Sequence, residues 1–139
     1  MTGRSVFWED LARDLEDPEF LREYVVESVR VATIDRLVNE LDEARRAAGL
    51  SKAALARAIS SEPAVVRRLF SAGHVNPTLG TLAEVATALG MRITLEPLPD
   101  IEREQVTDPL LDGRSADTRA LVEHLDQMRG TRDRQHSPA

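Results

Sequence analysis

The chain has 139 residues, 42% of them hydrophobic, which suits one modest domain with extensions or two small pieces. It has no cysteine, which excludes disulfides and thiolate metal sites and favours a reducing cytoplasm. The net charge of −6 argues against a uniformly basic nucleic-acid binder, and no apolar run approaches the roughly 18 residues of a membrane span.

The N-terminal third predicts helices. Ser5–Leu15 is a short candidate, and Asp17-Pro18-Glu19 is a strong helix start with a cap, a first-turn proline and an acid. Apolar residues then recur at helical spacing as far as Ala48, without glycine or proline. This pattern predicts one long helix or two helices broken near Ala32-Thr33, and we favour two, or one with a kink. The apolar stripe needs a partner, either the chain's own domain or a second copy. Residues 1–32 are predicted as an N-terminal helical extension.

Residues 49–90 contain the capping and breaking residues of several short helices. Gly49 is expected to end one helix, and Ser51 to cap the next, Lys52–Ile59. After a break at Ser60-Ser61, a helix over Glu62–Ser71 is predicted. Thr78 caps a further helix that ends before Gly90. The expected inward side chains of the Glu62–Ser71 helix are Val65, Val66, Leu69 and Phe70.

Charge is distributed unevenly along the chain. Residues 44–80 carry six Arg or Lys and one acid, whereas residues 1–43 have a net charge of −7 and residues 81–139 a net charge of −4. A basic centre between acidic flanks is the electrostatic pattern of a local DNA-facing patch, although a solvated helix surface gives the same count.

Two short helices joined by a small-residue turn, the second bearing arginines, are the parts of a major-groove reader. The stretch resembles the helix-turn-helix of the XRE (lambda-repressor-like) family. The resemblance implies a mainly all-α bundle at residues 33–96 that binds double-stranded DNA as a homodimer on an inverted-repeat operator and represses transcription. The matching residues are Gly49-Leu50-Ser51, Leu55-Ala56, Val66, Leu69, Asn76-Pro77-Thr78, Leu82 and Ala88-Leu89-Gly90.

Within that family the chain is most similar to HigA-like antitoxins and addiction-module antidote proteins. The similarity rests on Asp17–Phe20, on the run Arg68–Thr78 and on Ala88–Leu95. It implies a second role, in which the protein neutralises a RelE/HigB-type ribonuclease toxin and autoregulates its operon. The alternatives are a stand-alone XRE-family regulator without a toxin, and a helical adaptor that does not bind DNA.

Three positions depart from the family pattern. The family usually has glutamine at the position of Lys52 and glycine at that of Ser60, and often glutamate at that of Phe70. Lys52 still reaches a phosphate, but it is less selective for the geometry of its acceptor. The turn at Ser60 is expected to differ in shape. At Phe70 an apolar contact is expected to replace a polar tether.

The DNA contacts are predicted from the geometry of the motif, whose second helix enters the major groove. Arg68 is the first candidate for base readout, since the family's motif position commonly reads a base, and Arg67 is the second. Ala64 is placed to meet a thymine methyl, and Glu62 either accepts from a cytosine amine or caps its helix, with capping favoured. Ser71 completes the base-contacting set. The predicted phosphate contacts are Ser51, Lys52, Arg57, His74 and Asn76.

Beyond Gly90, residues Met91–Leu95 alternate and include β-branched residues, which predicts a short strand paired with a two-fold mate or a partner's sheet edge. Pro97, Pro99 and the acidic run Asp100–Glu104 predict a linker. A weak helix is expected at Ser115–Arg129, capped by Ser115 and ended by Gly130, before a disordered, flexible tail at Thr131–Ala139. Residues 97–139 form either a loose extension or a toxin-binding arm that folds on contact.

No constellation of residues indicates catalysis. The three histidines, His74, His124 and His136, are far apart in sequence and lack partners at metal-ligand spacing. No serine sits in a nucleophile elbow, and no phosphate-binding loop is complete. The sequence therefore predicts a protein that is not an enzyme and uses no cofactor or metal.

Overall fold

The structure is a computed structural model that describes the backbone of residues 2–71 and 76–136 and the side chains of residues 6–71 and 76–129. Its regular elements in those ranges are helical, which confirms the prediction of a mainly all-α fold. In the same ranges, no helix combines the length and the apolar character needed to cross a bilayer. The helices are α1 (Thr2–Asp14), α2 (Pro18–Ala47), α3 (Lys52–Ala58), α4 (Pro63–Leu69), α5 (Leu79–Ala88), α6 (Asp100–Glu102), a π-helical stretch (Arg103–Thr107), α7 (Asp108–Asp112) and α8 (Thr118–His136).

The chain divides into two compact units. The central unit is Thr33–Glu96, and the flanking unit joins Met1–Ala32 to Pro97–Ala139. The central unit therefore holds α3, α4 and α5 with the second half of α2, and the flanking unit holds the remaining helices with the first half of α2. The basic centre of the sequence lies in the central unit.

Helix α2 is one continuous helix of 30 residues, so the prediction of two helices broken near Thr33 is wrong. Thr33 could have capped a second helix, but it remains inside α2. Each half of α2 supplies side chains to its own unit's core: Leu21 and Val25 to the flanking core, Val38 and Leu41 to the central core. Burial of an apolar face along the whole helix stabilises it more than one threonine's local preference opposes it.

The central core is aliphatic and formed by the second half of α2 and by α3, α4 and α5. Leu55, Val66 and Val85 are completely buried, one from each of the three short helices. The N-termini of α3 and α5 are capped as predicted, since Ser51 Oγ accepts from the Ala54 amide and Thr78 Oγ1 accepts from the Thr81 amide. Buried members of the core are Val38, Leu41, Leu55, Ala56, Val66, Leu69, Leu82, Val85 and Ala86.

The flanking core is built from α1, α2, α8 and the short helices between residues 100 and 112. Phe20, Tyr24 and Trp8 line its edge, and the guanidinium of Arg119 lies 4.7 Å from the centroid of the Trp8 ring. Arg22 donates to the carbonyl oxygens of Leu110 and Leu111 at the end of α7. The buried members are Leu15, Leu21, Val25, Val106, Leu121, Val122 and Leu125.

The strand predicted at Met91–Leu95 is wrong for the single chain. Residues 91–99 adopt no helix or strand, because none of the described segments offers a strand edge with which they could pair. Every residue from 90 to 101 is exposed.

The acidic run Asp100–Glu104, predicted as linker, is helical. Val106 and Pro109 are buried in the flanking unit, and their burial holds this region in helical form. Proline lacks an N–H, and its ring clashes with the carbonyl four residues earlier in a regular α-helix. The wider turns of the π-helical stretch lie just before Pro109, where this clash would occur.

The last helix differs from the prediction at both ends. It starts at Thr118, and Asp117 rather than Ser115 accepts the capping bond, from the Ala120 amide at 3.1 Å. It continues through Gly130 to His136, so the predicted end at Gly130 and the disorder of residues 131–136 are wrong. The rest of the predicted tail, residues 137–139, lies outside the described residues.

Candidate nucleic-acid interface

The turn between α3 and α4 sets the angle at which α4 is presented. The Ser61 amide donates to the Ala56 carbonyl at 2.8 Å, which closes the end of α3. Ser60 adopts a left-handed backbone conformation with φ 53°, unlike any other non-glycine residue described. Sequence analysis expected a different turn shape at this position, where glycine is usual. Ser60 takes a conformation that glycine adopts without steric cost, and the difference in turn shape stays a prediction.

Helix α4 begins at Pro63, one residue later than predicted, with Glu62 at the N-cap position. The Glu62 side chain makes no capping hydrogen bond, so the favoured capping role is not observed. Its carboxylate is exposed at the start of the helix. Because Pro63 has no N–H, the first turn loses nothing where an unpaired amide would otherwise face solvent.

The exposed face of α4 carries most of the predicted base contacts. At about 100° per residue, Ala64, Arg67 and Arg68 fall within an arc of about 100°. All three are exposed, and the buried Val66 and Leu69 lie on the opposite side. The helix therefore brings two arginines and one small apolar side chain together on its outer surface, as the sequence predicted.

Ser71 lies just beyond the end of α4. Its hydroxyl donates to the Arg68 carbonyl at 2.8 Å, and the same carbonyl accepts from the Ser71 amide at 3.2 Å. It is exposed, and its oxygen keeps acceptor capacity. Ser71 remains a predicted base contact.

The predicted phosphate contacts do not form one cluster. Ser51 and Lys52 lie together at the start of α3, where the Ser51 oxygen is already engaged by the Ala54 amide and Lys52 is half-buried. Arg57 is exposed but lies about 140° around α3 from Lys52. Asn76 is exposed in the loop before α5, and His74 lies outside the described residues.

Two arginines counted in the basic centre are used within the protein. Arg45 pairs with Asp42 at 2.9 Å and donates to the Leu50 carbonyl at 2.8 Å, and its guanidinium lies 5.7 Å from the centroid of the Phe70 ring. Arg46 also pairs with Asp42, at 2.9 Å. Phe70 packs against the central core, which is the expected apolar contact, and its ring also contacts the Arg45 guanidinium.

The remaining cations are unpaired. In the described part of the chain, Lys52, Arg57, Arg67 and Arg68 take part in no ion pair. An exposed cation without an internal partner is free to meet an external anion, and a phosphate or a base acceptor is such a partner. Fewer cations of the central unit are thus available to a ligand than its composition suggests, and those on the outer face of α4 are among them.

Sequence reasoning placed Val65 in the core, but 38% of its surface is exposed. It lies about 100° from Ala64 around α4, at the edge of the outer face. Its hydrophobicity and spacing predicted burial, but Val65 lies at the edge of the arc of α4 that faces the core, next to Leu69. Val65 thus adds a second apolar side chain beside the two arginines.

Comparison with known proteins identifies this region. Residues 41–95 match the family model HTH_3, described as helix-turn-helix, which is of the XRE type. The matched range contains α3, α4 and α5 and every predicted DNA contact. No curated protein and no solved structure matches the chain. The predicted helix-turn-helix is confirmed at this level, without reaching the antitoxin subfamily.

Proposed function

We propose that the protein is a sequence-specific DNA-binding transcriptional repressor that reads the major groove with the outer face of α4. The observation that carries the proposal is the exposed face with Ala64, Arg67 and Arg68, within a segment that matches a helix-turn-helix family. Two arginines that form no ion pair with any described residue offer two-pronged donors to guanine, and Ala64 offers a methyl contact to thymine.

The proposed contacts divide into two kinds. Arg68, Arg67, Ala64, Glu62 and Ser71 face bases and supply specificity, while Ser51, Lys52, Arg57, His74 and Asn76 face phosphates and supply position. Glu62 is proposed to accept from a cytosine amine, since its carboxylate makes no capping bond.

A single short recognition helix reaches few base pairs, so the proposal includes a homodimer on an inverted repeat. In such an arrangement two α4 helices enter successive major grooves about one helical turn apart, and the operator has the same two-fold symmetry as the protein.

The direct test is fluorescence anisotropy with DNA from immediately upstream of the protein's own gene, beside scrambled DNA of the same composition, at two salt concentrations. Tight binding that weakens with salt and prefers the upstream DNA is expected. Equal affinity for both DNAs would contradict sequence-specific repression. The absence of any salt-dependent affinity would support a helical adaptor instead.

Lys52→Ala tests the phosphate contacts. Loss of one phosphate contact is expected to weaken binding to upstream and scrambled DNA by the same factor. It should reduce the slope of log affinity against log salt by about one. The slope measured with Glu40→Ala, an exposed residue of α2 outside the proposed contacts, is the control and should not change. A loss confined to the upstream DNA would instead make Lys52 a base-reading residue.

A second proposed role is that of an antitoxin, which neutralises a RelE/HigB-type toxin and autoregulates the operon. The acidic composition of the flanking unit favours it: ten basic and seventeen acidic residues give a net charge of −7, suited to a basic ribonuclease. A small basic protein encoded by the neighbouring gene should arrest growth when it is expressed alone, and co-expression of the present chain should restore growth. Failure to rescue, combined with specific DNA binding, would indicate a stand-alone regulator.

A further inference from the structure

The segment after α5 has unused backbone hydrogen-bonding groups. The Met91 amide closes the end of α5 by donating to the Ala86 carbonyl at 2.8 Å. Within the described part of the chain, the amides and carbonyls of residues 92–96 make no backbone hydrogen bond and no bond to a side chain. Such groups form a template for another chain.

The side chains of this segment alternate in character. Met91, Ile93 and Leu95 are apolar and exposed, with Leu95 at 98%. Arg92, Thr94 and Glu96 are polar and occupy the positions between them. In an extended backbone, therefore, one face is apolar and the other polar.

One pairing of two such segments is complementary on both faces. In an antiparallel pair centred on Thr94, Arg92 lies opposite Glu96 of the second copy, and Ile93 lies opposite Leu95. The two-fold symmetry makes each of these pairs twice, and Thr94 lies opposite its own copy.

The other registers lack this complementarity of charge and apolar character. Parallel, in-register pairing places Arg92 opposite Arg92 and Glu96 opposite Glu96. A shift of the antiparallel pair by one residue sets apolar side chains opposite polar ones. Centring the antiparallel pair on Ile93 keeps the faces but leaves Arg92 opposite Thr94, with no opposite charge.

We propose that two copies of this chain pair through residues 92–96 as an antiparallel two-stranded ribbon centred on Thr94. The occupant of the exposed segment is thus a second copy, because the segment is complementary to itself in charge and in apolar character. Pro97 ends the ribbon, since it has no N–H to donate. The inference rests on the proposed function in one respect, because it supplies the two-fold contact of the dimer proposed to bind an inverted repeat.

A two-stranded ribbon of this length is marginal in water by itself. Pairing is therefore expected to be concentration-dependent in the free protein. On an inverted repeat, two bound copies have a raised effective concentration, which strengthens the same contact without changing it.

Charge reversal in the full-length chain tests the register. Arg92→Glu or Glu96→Arg alone turns both opposite-charge pairs into like-charge pairs, and each is expected to weaken dimerisation about tenfold in sedimentation equilibrium without DNA. The double variant Arg92→Glu, Glu96→Arg exchanges the charges and should restore the wild-type dimerisation constant. Arg36→Glu, an exposed arginine of the same unit, is the control for charge reversal and should not change it. Single variants that dimerise like the wild type, a double variant that stays weak, or a wild-type chain that is monomeric would each overturn the proposal.

Crosslinking tests the centre directly, because the chain has no native cysteine. With oxidised glutathione present, Thr94→Cys should form a covalent dimer rapidly, since residues directly opposite in such a pair have Cβ atoms about 5 Å apart. Leu79→Cys, at a site 70% exposed in the same unit, is the matched control. Equal crosslinking by both variants would contradict the ribbon.

These measurements separate this inference from the proposed function. Unchanged oligomeric behaviour in the charge variants, together with specific DNA binding, would overturn the ribbon and leave the repressor standing. A charge-dependent dimer that binds no DNA would support the ribbon and contradict the repressor.

Discussion

The two units use their arginines in opposite ways. In the flanking unit, Arg22 donates to the carbonyls that end α7, Arg129 donates to the buried hydroxyl of Ser28 at 2.8 Å, and Arg119 lies over the Trp8 ring. In the central unit, Arg67 and Arg68 lie exposed on α4 and form no ion pair with a described residue.

This difference shows why net charge alone is a weak guide to binding. The flanking unit has a net charge of −7 and the central unit +1, yet both contain many arginines. An arginine whose guanidinium already donates to its own unit makes a stability contribution, whereas an unpaired one is available for a ligand. Arg45 shows that the division is not absolute, since it lies in the central unit and serves the fold.

Arg68→Ala gives the largest expected effect on binding. Loss of a bidentate guanine contact should cost about 1–3 kcal/mol of affinity for the upstream DNA and relax the preference at one base pair. Stability should change by less than about 0.5 kcal/mol, because the side chain is exposed and makes no ion pair within the described residues. Anisotropy titrations with single-base operator variants, combined with urea unfolding, measure both quantities. Equal losses on operator and scrambled DNA would contradict base readout.

Arg129→Met should have the converse effect. It leaves the Ser28 hydroxyl, which is 1% exposed, without its hydrogen-bond partner, and should lower the free energy of unfolding by about 1–3 kcal/mol. DNA affinity should not change. Both quantities can be followed by urea unfolding, monitored by Trp8 fluorescence, and by anisotropy.

The control for this variant is the double change Ser28→Ala, Arg129→Met. Removing both partners leaves no unsatisfied buried hydroxyl, so the double variant should lose less stability than Arg129→Met alone. If the double variant loses as much stability as Ser28→Ala and Arg129→Met lose separately, added together, the hydrogen bond is not the cause of the destabilisation. If Arg129→Met weakens DNA binding in the folded state, the contrast between the two units fails.

Ser60→Gly should stabilise the central unit by up to about 1 kcal/mol. Relief of the left-handed conformation favours the variant, and the greater backbone freedom of glycine in the unfolded chain opposes it. The midpoint of urea unfolding measures the change. Ser61→Gly makes the same substitution one residue later, where φ is not positive, and should destabilise or have no effect. Stabilisation of equal size at both positions would exclude strain at Ser60 as the cause.

Local signals in the sequence were enough for the caps of α3 and α5 and for the outer face of α4. Ser51 and Thr78 cap their helices as predicted, and Gly49 and Gly90 adopt positive φ values at the ends of α2 and α5. The outer face of α4 followed from helical spacing alone, with the exception of Val65. These predictions succeeded because each depends on neighbours within about four residues in sequence.

The flanking unit was less predictable because its contacts join distant parts of the chain. The Arg22 hydrogen bond to Leu110 spans 88 residues and the Arg129 bond to Ser28 spans 101, and no local pattern announces either. Pro97, Pro99 and the acids at residues 100–104 indicated a linker, although burial of Val106 in the flanking core favours a helix. Tertiary burial overrode local preference there, as it did at Thr33 in α2.

Tyr24 gives the smallest expected effect and reports on the flanking unit alone. Burial raises the pKa of its hydroxyl, the Asp126 carboxylate raises it further, and Arg129 lowers it. Because the chain has one tyrosine, near-ultraviolet absorbance follows its ionisation directly, and the midpoint should lie above the ordinary value near 10. The folded state holds this proton more tightly than the unfolded state. The associated stability is therefore complete below the unfolded pKa and is lost as pH rises through the folded pKa. Asp126→Asn should lower the midpoint and Arg129→Met should raise it. A midpoint that stays in place in both variants would show that these two charges do not set the pKa of Tyr24.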